Sequence, residues 1–191
     1  MLEVGPDAPT LCEGWTVRDL AAHLVLRERR PDAALGILVS PVRGYTDRVQ
    51  RRLRERPWPS LVEDVRSGPP ALLRMVDEQM NVVEMFVHHE DVRRARPGWA
   101  ARALDPGEER ALWARLGPIT RLVRRRLPVG VALAAPGFGE VEARRGSPHV
   151  TVTGPPGELV LLVSGRQQVA RVETSGPPDA VSQLMGARLG F

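Results

Sequence analysis

Apolar residues recur at helical spacing through the earlier part of the chain and give way to alternation near its end. Residues 5 to 15 carry Gly5, Pro6, Pro9 and Gly14, a composition that marks turns. Thr16-Val17-Arg18-Asp19 then reads as a helix start, with Thr16 as N-cap and Asp19 three residues on. The pattern predicts a helix from about Val17 to Arg30. Pro31 either breaks it or opens a short new turn, and the stretch to Pro41 is apolar. Tyr45, Val49, Arg52 and Leu53 suggest a second helix from Val42 to Arg56, closed by Pro57-Trp58-Pro59. Ser60 then caps a short turn through Val65. The longest periodic stretch runs from Pro70 to about Arg96, with Leu72, Met75, Val76, Gln79, Val83, Phe86 and Val87 on one face. Beyond Pro97-Gly98, a fourth helical segment from about Pro106 to Arg126 carries Leu112, Leu116, Ile119 and Val123. These elements make a helical bundle.

Past Pro128 the character changes. Val129 to Ala134 and Gly139 to Arg144 are short β-prone runs joined by Pro136-Gly137-Phe138, the signature of a hairpin. His149 to Thr153 is a further strand, Gly157 to Ser164 looks helical, Val169 to Glu173 reads as a last strand and Pro178 to Leu189 as a last helix. The expected class is α+β, with a helical bundle over residues 1–128 and a small C-terminal α+β domain over 129–191.

With 191 residues, the chain has room for one large module and one small one. An apolar fraction of 42% and a charged fraction of 26% are those of an ordinary soluble globular protein. A pI near 10.7 invites a nucleic-acid reading. However, all 27 basic residues are Arg, the formal net charge is only +4, and runs such as Arg54-Glu55-Arg56 mix both signs as solvated helix faces do. A coding bias explains the absence of Lys more simply than a demand for phosphate contacts, and neither a nucleic-acid reading motif nor aromatic-basic interleaving is present. The single cysteine, Cys12, allows no internal disulfide and fits a reducing compartment. No charged-then-apolar leader opens the sequence, and no apolar run approaches the roughly 20 residues of a membrane helix. The expectation is a cytoplasmic protein without nucleic-acid or membrane partners.

Three of the four histidines lie on the two clearest helices: His23 on the first, His88 and His89 on the long one. At about 100° per residue, Glu84 and His88 lie about 40° apart around their helix, whereas Glu84 and His89 lie about 140° apart. Glu84 and His88 can chelate one ion, and His89 cannot easily join them. Both flank the apolar stripe, and His23 occupies the matching flank of its own helix between Leu20 and Leu24. A metal site of His23, Glu84 and His88 is therefore geometrically reasonable in a bundle. The same spacing also serves a surface Glu–His pair, so spacing alone leaves both readings open.

The segments LCEGWTVRDLAAHL at 11–24 and NVVEMFVHHEDVRRA at 81–95 resemble the mycothiol-dependent maleylpyruvate isomerase family within the DinB-like metalloprotein superfamily, and most closely an actinobacterial metal-binding branch of it. The resemblance implies a DinB-like bundle followed by a sterol-carrier-like α+β module. It also implies a divalent metal, usually zinc, held at His23, Glu84 and His88. Family members carry a full helix before this first segment, where only Met1 to Val4 stand here; either the start lies upstream or the bundle lacks most of that helix.

Two imidazoles and a carboxylate leave a coordination position open, as in catalytic rather than structural zinc. A thiol held there is deprotonated and becomes a nucleophile. The resemblance suggests mycothiol as that co-substrate. The reading is then a metal-dependent thiol S-transferase or isomerase acting on a small electrophile, with a homodimer as the candidate assembly; the alternative is a non-catalytic metal-binding or regulatory module. No catalytic side chain can be named. Asn81 and Asp91 are candidates for hydrogen bonds to the ligands, although surface capping would explain either equally well. Cys12 is either a fourth ligand, a reactive thiol or a small packed residue beside Trp15, the last being the simplest. Trp15 and Trp99 read as packing residues, and Arg124-Arg125-Arg126 as a helix end favoured by the dipole.

Overall fold

A computed structural model describes residues 1–33, 43–70 and 74–190, with the backbone alone over 74–81. The expectations for residues 34–42 and 71–73, and for the side chains of Leu72, Met75, Val76, Gln79 and Asn81, lie outside the described residues. By contacts the chain divides into two units. Residues 1–78 with 88–99 form the first, and 79–87 with 100–191 the second. One continuous helix contributes to both.

The first unit is helical. Its helices are α1 (Val17–Arg29), α2 (Arg43–Arg54), α3 (Trp58–Ser67) and the later part of α4 (Arg74–Arg94). The capping box expected at Thr16 is present: the Asp19 amide donates to Thr16 Oγ1, and the Thr16 amide donates to Asp19 Oδ2 at 2.9 Å. Asp19 Oδ1 also holds Arg54 of α2, at 2.8 Å. α1 is buried nearly all round, as a central helix must be. Ala21, Ala22 and Val25 pack with Leu61 of α3, Leu26 with Val49 of α2, and Val17 and Leu20 with Val92 of α4. Where a short turn was expected from Ser60 to Val65, the chain makes the full helix α3, entered at Pro57 and with Pro59 in its first turn. Proline is tolerated there because the first helical N–H groups have no partner inside the helix.

The second unit layers helices on a sheet. α5 (Pro106–Val123) starts at Asp105, whose carboxylate accepts from the Gly107 and Glu108 amides at 2.8 and 3.0 Å. It runs into a 3-10 turn at Arg124–Arg126 rather than remaining α-helical to Arg126. β1 (Gly130–Ala135), β2 (Gly139–Arg144), β3 (His149–Thr153) and β4 (Glu173–Ser175) form one sheet in the order β2-β1-β3-β4. β1 and β2 are the expected hairpin, β1 and β3 run parallel, and β3 pairs antiparallel with β4. Val150 and Val152 of β3, with Val131 and Leu133 of β1, face the core, which α5 and the wholly buried α6 (Pro156–Val163) cover.

The last strand stands later than Val169 to Glu173. Val169 and Ala170 donate their amides to Arg166 O at 3.1 Å each, and this turn delays pairing until Glu173 meets Thr153. The final helix, α7 (Pro178–Gly186), stops short of Leu189. Among the described residues, no helix is long and apolar enough to cross a membrane.

Candidate metal centre

The loop before α1 is closed by its own turn chemistry. Thr10 Oγ1 donates to Trp15 O at 2.8 Å, the Trp15 amide donates to Cys12 O at 2.9 Å, and Gly14 takes the positive φ of 74° that the turn needs. The Leu11 amide donates to Asp91 O at 3.1 Å, which fastens this loop to α4. Cys12 and Trp15 are thereby set beside His23 and His88.

His23 and His88, each 8% exposed, meet edge to face with ring centroids 5.6 Å apart, and Trp15 backs His23 at 5.1 Å. Glu84, half-buried, stands one turn before His88 on the same helix. Each of His23, Glu84 and His88 offers one ligand atom, and these atoms all lie within 4.8 Å of one another. His89 is exposed on its helix. His149 belongs to the sheet of the second unit, where Nε2 meets Glu142 Oε1 at 3.2 Å.

Asp91 is completely buried, and its Oδ2 lies 2.8 Å from His88 Nδ1. An ionised carboxylate only accepts, so this bond keeps the imidazole proton on Nδ1 and leaves the Nε2 lone pair for a cation. The Cys12 thiol donates to the same Oδ2 at 3.2 Å and lies 3.9 Å from His88 Nδ1. Cys12, His88 and Asp91 also converge within 4.8 Å, but hydrogen bonds among them already explain that closeness. Packing alone does not describe Cys12: it is half-buried and its thiol is engaged with Asp91. Spacing along the sequence could not reveal this contact, which spans 79 positions. Trp99 does pack as expected, under Arg94 at 4.7 Å from guanidinium carbon to ring centroid.

The donor set of two imidazoles and one carboxylate suits a divalent cation of borderline softness. Three protein donors leave at least one position for an external ligand. Residues 3–82 match the family model of the mycothiol maleylpyruvate isomerase N-terminal domain. That match covers the N-terminal part of the chain, through the first half of α4. The fold is shared with a crystal structure of the mycothiol-dependent maleylpyruvate isomerase, at 22% identity over 91% of this chain and 85% of that chain, with a TM-score of 0.50. A point mutant of that isomerase aligns over the same shares at 22% identity, with a TM-score of 0.48. No curated protein matches the chain significantly.

Proposed function

We propose that this chain is a metal-dependent thiol transferase or isomerase of the maleylpyruvate isomerase kind, acting on a small electrophile with mycothiol as co-substrate. The observation that carries the reading is the convergence of one donor atom each from His23, Glu84 and His88 within 4.8 Å. The N-terminal family match over residues 3–82 supports it. His23, Glu84 and His88 would hold the ion, zinc being the best match to the donors. When bound, the cation supplies Lewis acidity that favours a thiolate over a thiol at neutral pH.

The side chains divide the remaining work. Asp91 keeps the His88 proton on Nδ1, so that Nε2 would be the nitrogen free to hold the ion. Trp15 packs on the His23 ring, which limits its rotation and shields it from water. The Cys12 thiol donates a hydrogen bond to Asp91, and so enters the same hydrogen-bonded set without being required as a ligand.

The reading is tested by measuring bound metal in the purified protein and in a His23→Ala variant, then assaying the metal-loaded chain for mycothiol-dependent maleylpyruvate isomerisation and thiol conjugation. Stoichiometric metal that depends on His23, together with turnover, is the expected result. Tight metal without turnover across a broad panel of thiols and electrophiles identifies a non-catalytic metal-binding module instead. Absence of metal in both proteins overturns the site.

A further inference from the structure

Within the second unit, a groove of about 360 Å³ runs between the later part of α5 and the edge strand β2. Arg121 and Arg124 line it from the helical side, and Arg144 and Arg145 from the end of β2. Gly117 keeps the helical wall low, since a Cβ there would meet nothing within 4 Å. Thr120 Oγ1 is tied to Gly117 O at 2.7 Å.

The four guanidiniums share one concavity without a carboxylate partner. Elsewhere in the chain Arg29, Arg54, Arg94 and Arg102 are each paired with a carboxylate. Among the described residues, Arg121, Arg124, Arg144 and Arg145 form no ion pair or side-chain hydrogen bond. The one acid lining the groove, Glu142, faces His149 at 3.2 Å. Four like charges around one concavity repel, and an oxyanion relieves the repulsion while accepting the paired N–H groups that each guanidinium presents. A groove of this volume fits a small molecule. β2 exposes Glu142 in the lining and Glu140 beside it, so the positive surface does not continue into a track for a long polyanion.

We propose that this groove binds a small oxyanion carrying two or more negative charges, of phosphate or polycarboxylate kind. The site is independent of the metal reading, because none of its residues is a candidate ligand. The test is calorimetric titration of the full chain at fixed ionic strength with pyrophosphate, citrate and a short DNA duplex. Saturable one-to-one binding of pyrophosphate or citrate is expected, and the stronger of the two identifies the ligand chemistry. The Arg121→Gln/Arg124→Gln double variant should weaken that binding at least tenfold, and Arg145→Gln alone should weaken it several-fold. Arg51→Gln/Arg52→Gln, exposed on α2, should leave it unchanged. The proposal is overturned if neither small anion saturates, if the duplex binds more tightly than both, or if the groove and α2 variants lose binding equally.

Discussion

His88 Nδ1 and Asp91 Oδ2 lie 2.8 Å apart across one turn of α4, with the carboxylate completely buried. A buried carboxylate that fixes an imidazole's tautomer and orientation is tied closely to what the far ring nitrogen can bind. Asp91→Asn keeps the shape and removes the charge. Metal affinity, measured by competition with a chromophoric chelator, should fall by about 10- to 100-fold, while the far-UV circular dichroism stays that of the parent. Unchanged affinity would reduce Asp91 to a packing residue.

His23, Glu84 and His88 converge, whereas His89 is turned to solvent. Elemental analysis after desalting should therefore find metal lost from His23→Ala, Glu84→Ala and His88→Ala and retained by His89→Ala. Loss from all four alike would point to unfolding rather than to ligation.

Glu28 is buried on α1 and its Oε2 has no hydrogen-bond partner among the described residues. Desolvation pushes its carboxyl above the usual range, against the opposing pull of Arg27 and Arg29. A carboxyl raised in the folded state favours folding below its unfolded pKa, and that advantage is lost as pH rises through the folded value. Glu28→Gln should therefore raise the melting temperature at neutral pH relative to the parent, with the difference vanishing in acid near pH 3. An advantage that grows on acidification would contradict the sign.

Thr16→Ala removes the side-chain half of the capping box at the start of the helix that bears His23. The expected cost is about 1 kcal/mol, read from urea unfolding, with Thr16→Ser restoring most of it.

Gly130 opens β1 where a Cβ would run into the Gly146 carbonyl and the His149 ring. Backbone cannot yield as a flexible side chain can, so Gly130→Ala should destabilise by roughly 1–3 kcal/mol.

Local chemistry made most of the fold legible. The hairpin of β1 and β2 was readable because Pro136-Gly137-Phe138 separates two β-prone runs. α1 was readable because Thr16 and Asp19 satisfy each other within one turn. What escaped depends on partners distant in sequence. α3 looked like a turn because Pro57 and Pro59 read as breakers, although both stand where a helix tolerates them. β4 was placed early because Val169 and Val172 are β-prone, while the Arg166 turn keeps the first of them from pairing. A change of composition at Pro128 suggested a boundary there, yet the apolar face of α5, Leu112, Leu116, Ile119 and Val123, shares its core with the sheet. At the site, helical periodicity and a family motif selected His23, Glu84 and His88, whose ligand-capable atoms converge within 4.8 Å. The bond from Cys12 to Asp91 had no local signature, since it depends on the loop at 8–16 folding back on α4.

Cys12 is the only sulfhydryl in 191 residues, and it sits against both Asp91 and His88. A thiol-directed chromophore or fluorophore would therefore attach at one address without any engineering. The speed of that attachment, followed with and without added zinc, offers a direct optical gauge of whether the neighbouring imidazole is occupied.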